Sequence, residues 1–106
     1  MAYAGPDRRA HRVLVTTDAE YFMRRRLCLR VRDRSTGLWL DGHRASGTLI
    51  LGSVDVDAAE PRLNLADVPR LGECVMFGSK SGPTLTTPVV AVARPPRELM
   101  ATAGAF

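Results

Sequence analysis

Arginines repeated at strand spacing can do one kind of chemistry, which is to hold anions, and this chain concentrates them in one short segment. From Phe22 to Arg34 the even positions read Phe22, Arg24, Arg26, Cys28, Arg30, Arg32 and Arg34; the odd positions read Met23, Arg25, Leu27, Leu29, Val31 and Asp33. Side chains alternate across a strand, so one continuous strand here would set several guanidinium groups on one face and Leu27, Leu29 and Val31 on the other. Same-face neighbours then stand roughly 6.5–7 Å apart, about the phosphate spacing of an extended nucleic-acid strand. Asp18, Glu20 and Asp33 flank the run rather than interleave with it. Like charges along a strand repel, so Arg24, Arg26, Arg30 and Arg32 form a candidate anion-facing stripe. The competing reading is the solvated outer face of a half-buried strand.

A second candidate lies on either side of this stripe. Arg8 and Arg12 are spaced as RxxxR just before the first apolar run, and Asp33-Arg34-Ser35-Thr36-Gly37 follows the stripe. Two arginines one short step apart suit bidentate phosphate contacts. These elements resemble the PilZ domain, a small β-barrel receptor for cyclic di-GMP that carries an RxxxR arm and a [DN]xSxxG element. Arg8 and Arg12 match the first motif, and Asp33 and Ser35 match the start of the second. The glycine falls one position early, at Gly37, with Leu38 in the place the motif requires. The resemblance implies that Arg8 and Arg12 grip the phosphates and guanines of the dinucleotide while Asp33 and Ser35 complete the pocket. Read from the residues alone, Asp33–Gly37 is also a plain hairpin turn.

Other motifs carry less. Gly78-Ser79-Lys80-Ser81-Gly82 has the composition of a phosphate loop, but no glycine stands directly before Lys80 and no helical pattern follows, so a hairpin tip is the better reading. Asp55, Asp57 and Glu60 lack calcium-loop spacing. Cys28 and Cys74 stand far apart without metal-ligand spacing and read as free thiols. Cys28 falls on the arginine parity, where cations would lower its thiol pKa; an inert strand cysteine is the alternative. His11 and His43 have no spaced nucleophile, and the few aromatics form no stacking platform for single-stranded nucleic acid. No cofactor or metal is expected.

The elements that must position these residues are strands. At 106 residues, with 45% apolar and 25% charged composition, the chain fits one globular domain over residues 1–106. Period-two runs punctuated by Gly, Pro and Asp predict strands over 11–17, 21–32 (best defined over 27–32), 38–40, 47–54, 73–79 and 84–93, with a loop over 55–69 holding one short strand at 62–65. Leu27, Leu29, Val31, Leu49, Leu51, Val75 and Phe77 are the expected core. Pro88 removes a ladder donor, so its strand is at an edge or bulged there. The expected fold is mainly β, a small six-stranded, partly closed β-barrel, with a flexible arm over 1–10 and a short C-terminal helix and tail over 95–106.

Charge separates the two halves. Residues 1–50 carry ten basic and five acidic groups, for +5, and residues 51–106 carry five and six, for −1. That asymmetry favours an anionic ligand, an acidic protein surface or nucleic acid as partner. The N-terminus has no apolar stretch of signal-peptide type and no run is long enough to span a bilayer, which predicts a cytoplasmic protein without membrane insertion. No acid–base or metal constellation can be assembled, so the expectation is a non-enzymatic binding module. An adaptor that docks a protein through strand edges and the apolar segment Leu99–Phe106 is the reading from a different class.

Overall fold

Alternation of apolar and polar residues gives six strands: β1 (His11–Thr16), β2 (Ala19–Arg24), β3 (Leu27–Asp33), β4 (Ile50–Val54), β5 (Cys74–Ser79) and β6 (Gly82–Ala93). The computed structural model describes residues 10–79, 81–96 and 98–99. All neighbours are antiparallel, in the order β3-β2-β1-β6-β5-β4. The sheet curls into a half-barrel around Leu14, Tyr21, Val31, Ile50, Val75 and Phe77. Tyr21 stacks on Phe77 at 5.3 Å inside it. Its edges meet at one point: Leu27 bridges Leu49, Cys28 N donates to Thr48 O, and Ile50 N donates to Arg26 O. A smaller cluster on the outer face, Val13 and Phe22, is covered by Val15, Trp39 and Leu99. The expected C-terminal helix lies outside the described residues except for Glu98 and Leu99, and so does the N-terminal arm up to residue 9.

The long strand expected over 21–32 is two strands. Arg24 pairs with Leu27 across a two-residue turn, Arg25-Arg26, in which Arg25 takes φ 51°. The left-handed region is normally glycine's, and no Gly, Asn or Pro marks this turn. The signal was the arginine triplet itself, since charge at three consecutive positions cannot continue an alternating half-buried strand.

Slips in register correct the expected core. Between β2 and β3 the ladder shifts at Phe22/Met23, where Arg30 and Cys28 become successive partners and Leu29 is left over. A bulge of this kind reverses the parity, so Cys28 and Val31 are buried while Leu27 and Leu29 are only half-buried. The shift at Ile50/Gly52 acts likewise on β4: Ile50 and Ser53 face the core, and Leu49 and Leu51 are 56% and 42% exposed. In the sheet β4 is an edge strand. Gly52 lets the segment around Asn64 cross it closely, because a Cβ there would stand 2.8 Å from Leu63 and 2.9 Å from Asn64 O. That crossing amounts to one bridge, Ser53 to Asn64, where a short strand at 62–65 was expected. Val75 and Phe77 are buried as expected. Pro88 sits opposite Cys74 where the β5–β6 ladder slips, the bulge its missing donor requires.

Candidate anion-binding surface

The stripe is not one row, and most of it is engaged within the fold. Arg26, in the β2–β3 turn, donates from Nη1 to Asp67 Oδ1 at 2.8 Å and Leu65 O at 3.2 Å, and from Nη2 to Ile50 O at 2.8 Å. Arg30 donates from Nε and Nη2 to Asp41 Oδ1, at 3.1 and 2.7 Å, while its guanidinium lies 4.5 Å from the Trp39 ring centre. Arg32 donates from Nε to Gly37 O at 3.0 Å and stands 3.7 Å from Glu20, its cross-strand partner. Arg34 donates to Thr16 O at 3.2 Å. The acids that neutralise the stripe come from neighbouring strands and loops, which sequence adjacency cannot display. Planar, multi-donor guanidinium groups suit such ties better than lysine would.

The Asp33–Gly37 element closes on itself. Asp33 Oδ2 accepts from Thr36 Oγ1 at 2.6 Å, Ser35 Oγ at 3.1 Å and Thr36 N at 3.3 Å. The Thr36 hydroxyl, then that of Ser35, holds the Asp33 carboxyl below its ordinary value. Gly37, at φ 73°, closes the turn by donating to Asp33 O, and Leu38 O and Leu40 N continue a short pairing with β3. This is the geometry of a hairpin turn. Register also sets it apart from Arg12. Arg12 pairs with Met23 at one end of the sheet and Asp33 pairs with Ala19 at the other, four or five residues of strand or roughly 15 Å away. Arg8 lies outside the described residues.

What the fold does gather is a group of arginines at the end where β1 begins. Arg24 pairs with His11, and Arg25 N donates to Ala10 O. Val13 pairs with Ala93 in the last rung of the β1–β6 ladder, so Arg12 and Arg94 take the next positions on adjacent strands. Arg12 is half-buried; Arg24, Arg25 and Arg94 are exposed. Among the described residues none of these four side chains has an ion pair or a hydrogen bond, while Arg26, Arg30, Arg32 and Arg34 all do. No Asp or Glu occurs in residues 8–17, 21–32 or 84–97. Like charges on adjacent strands destabilise each other without a counterion, so this end is poised for an anion. Arg94 escaped the sequence reading because its proximity to Arg12 depends on a pairing between the first and last strands.

Cys28 is fully buried in the core rather than among the arginines, and burial pushes its thiol up to about 12. Both cysteines are free and buried. Leu99, assigned by the adaptor reading to a partner, packs on the chain's own Val13–Phe22 cluster; the residues beyond it lie outside the described ones. Among the described residues no helix is long and apolar enough to cross a membrane. Comparison with family models, curated proteins and solved structures finds no match, so geometry alone carries the functional conclusion.

Proposed function

We propose that the protein is a non-catalytic binding module that holds a phosphate-bearing anionic ligand at the end of the half-barrel formed by Arg12, Arg24, Arg25 and Arg94. One observation carries this reading: four arginines stand at neighbouring strand ends with no side-chain partner among the described residues, whereas Arg26, Arg30, Arg32 and Arg34 are tied to carboxylates or carbonyl oxygens. Guanidinium groups so arranged favour bidentate contact with phosphate oxygens. The test is a thermal-shift screen of the full chain at low salt against nucleotides, cyclic dinucleotides and a short oligonucleotide. A ligand of the native state raises the midpoint, and the gain should shrink with added salt and vanish in Arg12→Gln/Arg94→Gln. A ligand whose effect survives that variant would refute the assignment.

The PilZ-like alternative is favoured by one specific observation, that Arg12, the second arginine of RxxxR, belongs to this group without partners among the described residues. On that reading cyclic di-GMP is held by the N-terminal arm and the end arginines, without the Asp33–Ser35 element. A midpoint shift with cyclic di-GMP but none with GMP supports it; equal shifts, or none, count against it.

A further inference from the structure

A second polar site lies between the Arg44–Thr48 turn and the tip of the β5–β6 hairpin. The turn is fixed by Ser46 N donating to His43 O, Thr48 N to Ala45 O and Gly47 N to Cys28 O. The hairpin tip is fixed by the Ser79–Gly82 pair and by the Ser79 hydroxyl donating to Gly82 O. Arg44 Nη2 spans the two elements and donates to Ser81 Oγ at 2.8 Å. Between them is a cavity of about 340 Å³ lined by Arg44, Ser46, Gly47, Thr48, Ser79 and Ser81. That volume lies at the lower end of the range for small-ligand pockets, about 300–1,000 Å³.

The donor balance in this cavity is one-sided. No carboxylate lines it. The Thr48 hydroxyl is spent on Ala45 O and that of Ser79 on Gly82 O. Ser81 Oγ accepts from Arg44, which leaves its own O–H to donate, and a guanidinium has further N–H groups beyond the one so used. Ser81 and Arg44 therefore offer donors from the two sides of the cavity to a ligand that only accepts, with the Arg44 charge to match.

We infer that this cavity is a binding site for a phosphoryl group, either free phosphate or the phosphate of a small nucleotide, separate from the arginine end. Full-length protein is titrated with inorganic phosphate and, in parallel, with AMP at constant ionic strength while backbone amide shifts are followed by NMR. Saturable shifts should centre on Arg44–Thr48, Ser79, Ser81 and Gly82. Arg44→Gln should weaken binding about tenfold or more, since a charge-assisted contact is lost. Ser81→Ala should weaken it several-fold, because the hydroxyl that faces Arg44 across the cavity is lost. Equal affinity for the two probes identifies the phosphoryl group as the recognised unit, and tighter AMP binding identifies a nucleotide. Shifts confined to residues around Arg12 and Arg94, unchanged by Arg44→Gln, would overturn this site and leave the arginine end standing. No saturable shift with either probe would also overturn it.

Discussion

Arg26 reaches from the β2–β3 turn to Ile50 on the opposite edge strand, its Nη2 2.8 Å from the Ile50 carbonyl oxygen, while Ile50 N donates back to Arg26 O at 2.7 Å. One residue thus closes the seam between the first and last strands of the sheet with both its main chain and its side chain. The same guanidinium holds Asp67 and Leu65 of the long loop. Its three acceptors lie in different directions, a demand that a planar fork meets and an ammonium on a flexible stem does not. Arg26→Lys should therefore destabilise nearly as much as Arg26→Gln, by about 1–2 kcal/mol for a partly exposed group losing charged hydrogen bonds. Urea denaturation of the two variants checks this; a lysine variant as stable as the wild type would reduce Arg26 to an ordinary surface charge.

Glu73 organises the loop between β4 and β5 in a comparable way. Its Oε1 accepts from Arg70 N at 2.6 Å, Asn64 Nδ2 at 3.0 Å and Ser53 Oγ at 3.1 Å. Burial pushes the carboxyl up, and the hydrogen bonds from Asn64, Arg70 and Ser53 together outweigh it, leaving the pKa below its ordinary value. Glu73→Ala leaves these donors without their acceptor, one of them the fully buried Ser53, and should cost about 2–4 kcal/mol. Proteolysis within 55–70 should accelerate in parallel; unchanged cleavage would show that the loop does not depend on Glu73.

His43 gives the fold a mild acid sensitivity. Burial holds its pKa below the ordinary value, partly opposed by Asp18, and its Nδ1 accepts from Ala45 N at 3.1 Å, which only the neutral ring can do. The ring also meets Tyr21 edge-on at 5.7 Å. A folded pKa below the unfolded one means that the unfolded chain binds the proton more readily. The contribution is complete above about pH 6.5 and is lost as the pH falls through the lowered native value. Stability measured from pH 7.5 down to 5 should decline, and His43→Phe should flatten that decline. An equal decline in the variant would assign it to other groups.

The half-barrel was legible in the sequence because alternation survives in β1, β5 and β6, and the β5–β6 hairpin carries Gly78 and Gly82. Around Gly37 the turn was legible for the same reason. The β2–β3 turn was not, since its residues are Arg25 and Arg26 and its positive φ falls on arginine. Bulges hid the rest: Leu29 and Leu51 are the extra residues that shift the parity, with Cys28 and Ile50 inside and Leu49 and Leu51 outside. Of the candidate site, Arg12 and Arg24 were visible as basic residues. Their grouping with Arg94 rests on a β1–β6 pairing some eighty residues apart in sequence, and the partners of Arg26 and Arg30, Asp67 and Asp41, come from separate loops.

The most direct test compares two double variants of equal charge, Arg12→Gln/Arg94→Gln at the barrel end and Arg30→Gln/Arg32→Gln on the outer face of β3. Each lowers the formal net charge from +4 to +2. Retention on a heparin column, read as the salt concentration of elution, is measured beside the thermal midpoint. The end variant should elute at clearly lower salt with its midpoint nearly unchanged, because those side chains have no partner among the described residues. The β3 variant should keep most of its retention and lose stability, because its arginines are engaged with Asp41, Gly37 and Glu20. Equal loss of retention in both, or full retention by the end variant, would contradict the assignment of anion binding to the barrel end.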